Sequence, residues 1–129
     1  MSLIEIALSR YATKYNPLYA EELGLILPKG SNWCGLFVGW CMAQLQMELP
    51  EHPQVARRYL KIGEPVESPK VGDIVVFWRE SKNSWKGHVS IFVRADEDNN
   101  KVYCLGGNQG GLVNITAYDS RKVLGFRRV

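Results

Sequence analysis

Helical signals fill the first half of this 129-residue sequence and short β-rich runs fill the second. That order predicts an α+β fold, with N-terminal helices packed on a mostly antiparallel sheet of about five strands. The length suits one hydrophobic core, and no Pro/Gly/Ser-rich linker interrupts it, so a single domain over residues 1–129 is expected.

Ile4, Ala7, Leu8, Tyr11 and Tyr15 recur at helical spacing and predict a helix over 3–15, ended by Asn16-Pro17. Residues 18–25 read as a further short helical turn stopped near Gly24, and Pro28-Lys29-Gly30 as a loop. Ser31-Asn32 then offers capping side chains to the run Trp33–Ala43, which is apolar on nearly every face. A helix hydrophobic all round belongs in the middle of a fold. Gly35 and Gly39 each lower its intrinsic propensity by roughly 1 kcal/mol. Burial must offset that, and the missing side chains permit close approach of a neighbour. Pro53 to Ile62 reads as a third, shorter helix with Val55, Tyr59 and Ile62 inward. The β runs are Asp73–Trp78, Gly87–Arg94, Lys101–Leu105, Leu112–Tyr118 and Val123–Val129, separated by turn residues.

Composition narrows the function classes. With 46% hydrophobic and 22% charged residues the chain is neither disordered nor fibrous. A net charge of +3 is too small and too scattered for a nucleic-acid footprint. The arginine pairs Arg57-Arg58 and Arg127-Arg128 read as solvated surface. A mildly basic surface does favour a polyanionic target such as a cell wall. Three cysteines with no C-x2-C spacing argue against a disulfide scaffold and a structural metal. Residues Met1–Glu5 do not resemble a signal peptide, and no stretch approaches the ~18 apolar residues of a membrane span. Synthesis in the cytoplasm, with any action outside depending on a non-standard route, is the expectation.

Cys34 falls in the first turn of the central apolar helix. Unpaired N–H groups and the positive end of the helix dipole converge there; both favour thiolate, and the same groups can hold an oxyanion. Among cysteines at large a small buried hydrophobe is the commoner fate, and Cys41 and Cys104 read that way. His88 opens a strand on which His88, Ser90 and Phe92 share one face. An antiparallel hairpin centred on Asp98 sets His88 opposite Asn108, whose amide would fix the imidazole. A bulge at Gly106-Gly107 would shift that register by one. His52, in Leu49–Pro53, reads as a surface turn residue, and Asp73 as turn chemistry.

These residues carry a resemblance. Trp33–Cys41 is similar to the nucleophile helix of NlpC/P60- and CHAP-related cell-wall hydrolases, Pro69–Phe77 to their Gly-Asp strand, and Gly87–Ser90 to their histidine strand. Leu105–Gln109 resembles the LGGNQ element of a compact subgroup, whose closing strand Val123–Arg127 also resembles. The resemblance implies a papain-like fold, Cys34 as nucleophile, His88 as base and Asn108 as orienting residue. It implies a cysteine amidohydrolase that cleaves peptidoglycan within the stem peptide or at the muramoyl-L-alanine junction, with no metal or cofactor. Compact relatives resemble phage lysins or secreted antibacterial effectors, and an effector would need a cognate immunity protein. Many relatives place a tyrosine near the oxyanion; Tyr11, Tyr15 and Tyr19 are the candidates here. Trp33, Trp85, Tyr11 and Gln109 are the expected substrate-binding residues, Trp85 because the loop 79–86 leads straight to His88. Two other classes stay open: a non-catalytic wall- or protein-binding module, and a cysteine acyltransferase or deamidase.

Overall fold

The structure, a computed structural model, describes residues 1–129. Three α-helices lead the chain: α1 (Leu3–Leu8), α2 (Leu18–Glu21) and α3 (Cys34–Gln44). A 3-10 helix (Ala56–Lys61) follows, and then the strands β1 (Glu64–Val66), β2 (Ile74–Trp78), β3 (Gly87–Asp96), β4 (Lys101–Gln109), β5 (Leu112–Asp119) and β6 (Val123–Arg128). All six strands join one antiparallel sheet in the order β1-β6-β2-β3-β4-β5. The α+β expectation holds. The sheet has one strand more than expected, because the three-residue β1 is too short to show periodicity.

Two helical expectations shorten. The first helix stops at Leu8, because the chain beyond it turns to the sheet edge. Ala12 adopts φ 65° and donates to Val113 O at 2.7 Å, while Val113 N–H donates to Thr13 O at 2.9 Å. Backbone pairing with β5 replaces helical bonds over residues that carry helical spacing. The segment Pro53–Ile62 forms a 3-10 helix, with Tyr59 buried at its centre.

Helix α3 lies against one face of the sheet, in an apolar cluster that includes Leu36, Phe37, Cys41, Ile74, Val76, Val89, Ile91 and Leu105. Its glycines serve the packing. A side chain at Gly35 would sit 2.5 Å from Pro53 O, and Tyr59 Oη lies 2.6 Å from Gly35 O and 2.9 Å from Pro53 O. The opposite face carries a smaller cluster, Val75, Phe77, Phe92, Val102 and Cys104, with Tyr118 and Phe126 against it.

The arginine pairs are mostly clamps, which corrects the solvated reading. Arg128 makes a two-pronged pair with Asp73 at 2.9 and 2.7 Å, tying the end of β6 to the turn before β2. Arg127 donates to Ile62 O and Gly63 O. Arg57 donates to three carbonyls of the loop before β3, those of Ser81, Lys82 and Lys86, at 2.6–2.8 Å. No helix is long and apolar enough to cross a membrane.

Candidate active site

The first turn of α3 begins at Cys34, and the thiol is 2% exposed. Capping differs in detail from expectation. Trp33 is the N-cap and makes no side-chain bond, whereas Asn32 Oδ1, two residues upstream, accepts the Cys34 N–H at 3.1 Å. The same oxygen accepts Asn108 Nδ2 at 3.0 Å. With its oxygen held by two donors, the amide of Asn32 has a defined orientation. Asn32 lines a cavity of about 230 Å³ together with Cys34, Gln54, Arg79, Trp85 and Lys86.

Strand geometry brings β3 to the thiol. Phe92 N–H and C=O both pair toward β2, with Asp73 O and Gly72 N, so residues 88 and 90 direct their backbone groups the same way. Val89 therefore directs its N–H toward β4. The β3–β4 ladder ends at Ile91 and Leu105, leaving no β4 partner for Val89. From there the Val89 N–H acts to lower the pKa of the Cys34 thiol.

Burial dominates the thiol and pushes its pKa up, although the N–H of Val89, the charge of Arg79 and the N–H groups of Gly35 and Cys34 all pull it down. The resting group is thus a thiol. The helix-terminus argument for a thiolate identified real contributions, but desolvation exceeds them.

One residue before Val89, His88 projects to the face opposite α3. Its ring lies 4.9 Å from that of Tyr118 and 6.2 Å from that of Phe77, and the residue is 1% exposed. His88 Nε2 is 3.0 Å from Gln109 Oε1 and 3.1 Å from Ser90 Oγ. Gln109 Nε2 donates to Cys104 O at 3.1 Å and to Asn114 O at 2.8 Å, so Gln109 must present its oxygen to the imidazole. Ser90 Oγ donates to that same oxygen. An acceptor facing Nε2 places the ring proton there and leaves Nδ1 with the lone pair. Burial lowers the imidazole pKa to about 4, opposed by the Gln109 hydrogen bond and reinforced by the Arg79 charge. His88 is neutral near pH 7.

Asn108 is not the partner of His88. The hairpin register expected from Asp98 does hold at Ile91–Leu105 and Phe92–Cys104. Beyond them β4 is irregular between Gly106 and Gln109, and Asn108 takes φ 56°. That irregularity carries the Asn108 side chain to Asn32 and delivers Gln109 to the imidazole instead. Gly106 makes room, since a side chain there would collide with Ser90 Oγ and with Gln109 Oε1.

The expected substrate contacts divide. Trp85 is 72% exposed and lines the Cys34 cavity. Gln109, 3% exposed, is committed to His88 and does not face a substrate. Trp33 is buried among Tyr15, Tyr19 and Phe37, with ring centroids 5.6–6.4 Å away, because the bulky residue at the helix start turns into the core. Tyr11 is 51% exposed and does not line the Cys34 cavity, since the chain leaves α1 for β5. Tyr15 and Tyr19 do not line it either, and Tyr19 is enclosed by Trp33, Phe37 and Trp40. Asn32 and Arg79 are the site residues that sequence reasoning missed. Asn32 registered only as a cap, and nothing near Arg79 marks where its side chain goes.

Cys34 and His88 share no hydrogen bond, and their side chains lie on opposite faces of the sheet. The bonding partners of the imidazole are Arg79, Ser90 and Gln109. Arg79 lines both the cavity of Cys34 and the one into which His88 faces. The site holds a thiol, a neutral imidazole whose Nδ1 lone pair faces the Arg79 guanidinium, and an oriented amide beside the thiol. That is the chemistry of acyl transfer through sulfur.

A family model described as the CHAP domain matches residues 27–108. No curated protein matches the chain. The matched span holds the Cys34 helix, Arg79 and the His88 strand, and it stops one residue short of Gln109. It takes in more than half of the sequence, and the α+β architecture agrees with it; the chain belongs to the CHAP-domain family, within the NlpC/P60-related cysteine amidohydrolases.

Proposed function

We propose that this protein hydrolyses an amide bond of peptidoglycan, in the stem peptide or at the muramoyl-L-alanine junction, through Cys34, His88 and Gln109. Family membership carries the coarser statement, a hydrolase of the amidase or peptidase kind with peptidoglycan as substrate. The observation that supports the finer one is the setting of His88. Its tautomer leaves the Nδ1 lone pair as the basic site, and the N–H of the adjacent residue, Val89, helps lower the pKa of the Cys34 thiol.

His88 Nδ1, brought within reach of the thiol in the substrate complex, takes the Sγ proton as sulfur attacks the carbonyl carbon, forming the C–S bond and an oxyanion. Asn32 Nδ2, aided by N–H groups at the start of α3, donates to that oxygen. The intermediate collapses with loss of the C–N bond, and His88 returns the proton to the departing nitrogen. Water then gives a proton to His88 and attacks the thioester. The C–S bond breaks, the acid product leaves and the thiol is restored. Gln109 holds Nε2–H throughout, and Asn108 acts through Asn32.

Digestion of purified peptidoglycan, followed by mass spectrometry of the soluble fragments, tests the proposal. New peptide ends, absent with Cys34→Ala, are expected, and their identity names the bond. Binding to the wall without new ends would leave a binding module. Transfer of an acyl group to an added amine without net hydrolysis would leave an acyltransferase.

A further inference from the structure

Arg79 occupies an unexpected place. Its Nη2 lies 3.3 Å from His88 Nδ1, the one imidazole atom free to accept a proton from sulfur. A guanidinium has only donors, so it occupies the lone pair that the base needs. Arg79 follows β2 directly and is exposed, with its N–H tied to Lys86 O at 3.3 Å. The Arg57 clamp fixes the remainder of the loop through Ser81, Lys82 and Lys86.

Charge around the Cys34 cavity is one-sided. Arg79 and Lys86 are cationic, and no acidic residue lines the wall. Lys86 is neutralised by Glu80 at 2.8 Å. Arg79 belongs to none of the salt bridges in the protein. An exposed guanidinium whose side chain bonds a neutral ring, on a cavity wall without acidic residues, fits a carboxylate in two-pronged geometry.

We infer that Arg79 is a carboxylate-binding residue that selects anionic stem peptides and, on engaging them, withdraws from His88 Nδ1 to release the base. This rests on the hydrolase reading for its substrate, but binding can be measured without turnover. A substrate carboxylate outcompetes a neutral imidazole for the guanidinium, because hydrogen bonds between ionised groups are the stronger kind. Nδ1 is then free for the Cys34 proton. A peptide with its carboxylates masked would bind more weakly and leave the base occupied.

The test uses full-length Cys34→Ala protein and two probes, the stem pentapeptide with free carboxylates and the same peptide with every carboxylate converted to carboxamide. Calorimetry should give about 10- to 100-fold tighter binding of the free-carboxylate peptide. Arg79→Gln in the same background should remove that preference and keep the carboxamide affinity, and Arg79→Lys should keep part of it. The His88 Nδ1 nitrogen resonance should move with the carboxylate peptide and not with the carboxamide. Equal affinities, no binding of either peptide, a preference that survives Arg79→Gln, or an unmoved Nδ1 resonance would overturn the inference. Parallel kcat/KM values on the wild-type protein separate the two readings. Cleavage of both peptides at equal efficiency removes the carboxylate site and leaves the hydrolase. Carboxylate-selective binding without any cleavage removes the hydrolase and leaves the site.

Discussion

Cys34 and His88 are almost equally hidden, at 2% and 1% exposure, but the two faces of the sheet hold them by different means. On the α3 face the thiol is set by packing and backbone: an apolar helix, the close contact at Gly35 and the nearby N–H of Val89. On the other face the imidazole is set by side-chain hydrogen bonds, from Gln109 and Ser90 with Asn114 behind them. Packing is broad and tolerates small polar changes, whereas a hydrogen-bond network fails at one atom. Damage to the two halves should therefore look different.

The largest effect is expected at Cys34, the proposed nucleophile. Cys34→Ala should lower peptidoglycan turnover by roughly 10⁴-fold or more, while the melting temperature moves little because only sulfur is lost. Near-normal fragment release from that variant would end the assignment. Next comes the oxyanion amide. Asn32→Ala should reduce kcat by about 10²–10³-fold with a smaller change in KM. Asn108→Ala should give a weaker loss, and the double variant should be no worse than Asn32→Ala alone. Additive losses would show that Asn108 acts independently of Asn32.

On the imidazole side activity and stability should fall together. Gln109→Ala leaves buried His88 Nε2 and Ser90 Oγ without their shared acceptor. A stability loss of about 1–3 kcal/mol by urea titration should accompany the drop in kcat. A variant as stable as wild type would place the control of His88 elsewhere.

Acid should expose the same burial at comparable scale. His88 titrates near 4 when folded and near 6.5 when unfolded. Between those values the unfolded chain holds the extra proton, so stability is complete above about pH 6.5 and declines as pH falls toward 4. The loss from this residue should reach about 3 kcal/mol, and it should be missing from His88→Gln. An identical acid slope in both proteins would mean that His88 is less buried than the structure has it.

Much of the site was readable before folding. An all-round apolar run beginning at Trp33 could only be a buried helix, and its first turn made Cys34 the distinctive cysteine of three. Alternation along 88–93 fixed the face of His88, and symmetry about Asp98 matched the hairpin at Ile91–Leu105 and Phe92–Cys104, although a bulge between Phe92 and Arg94 shifts the pairs nearer the turn by one. The error came where a local rule was extrapolated. Ladder symmetry persists only while backbone pairing does, and the β3–β4 pairing ends at Ile91–Leu105. Past that point the glycines and the positive φ of Asn108 let β4 move one position, enough to exchange two adjacent amides.

Residue type and periodicity, then, determined the α+β order, the central helix, and the proposal of Cys34 as nucleophile and His88 as base, because burial patterns and chain order are properties of contiguous segments. Tertiary structure decided which amide orients His88, that Asn32 faces the cavity, that burial keeps Cys34 a thiol and that Arg79 stands at Nδ1. Each of those depends on groups far apart in sequence meeting within about 3 Å, as Asn32 and Asn108 do at 3.0 Å across 76 residues. Periodicity carries no information at that range; strand divergence and desolvation set it.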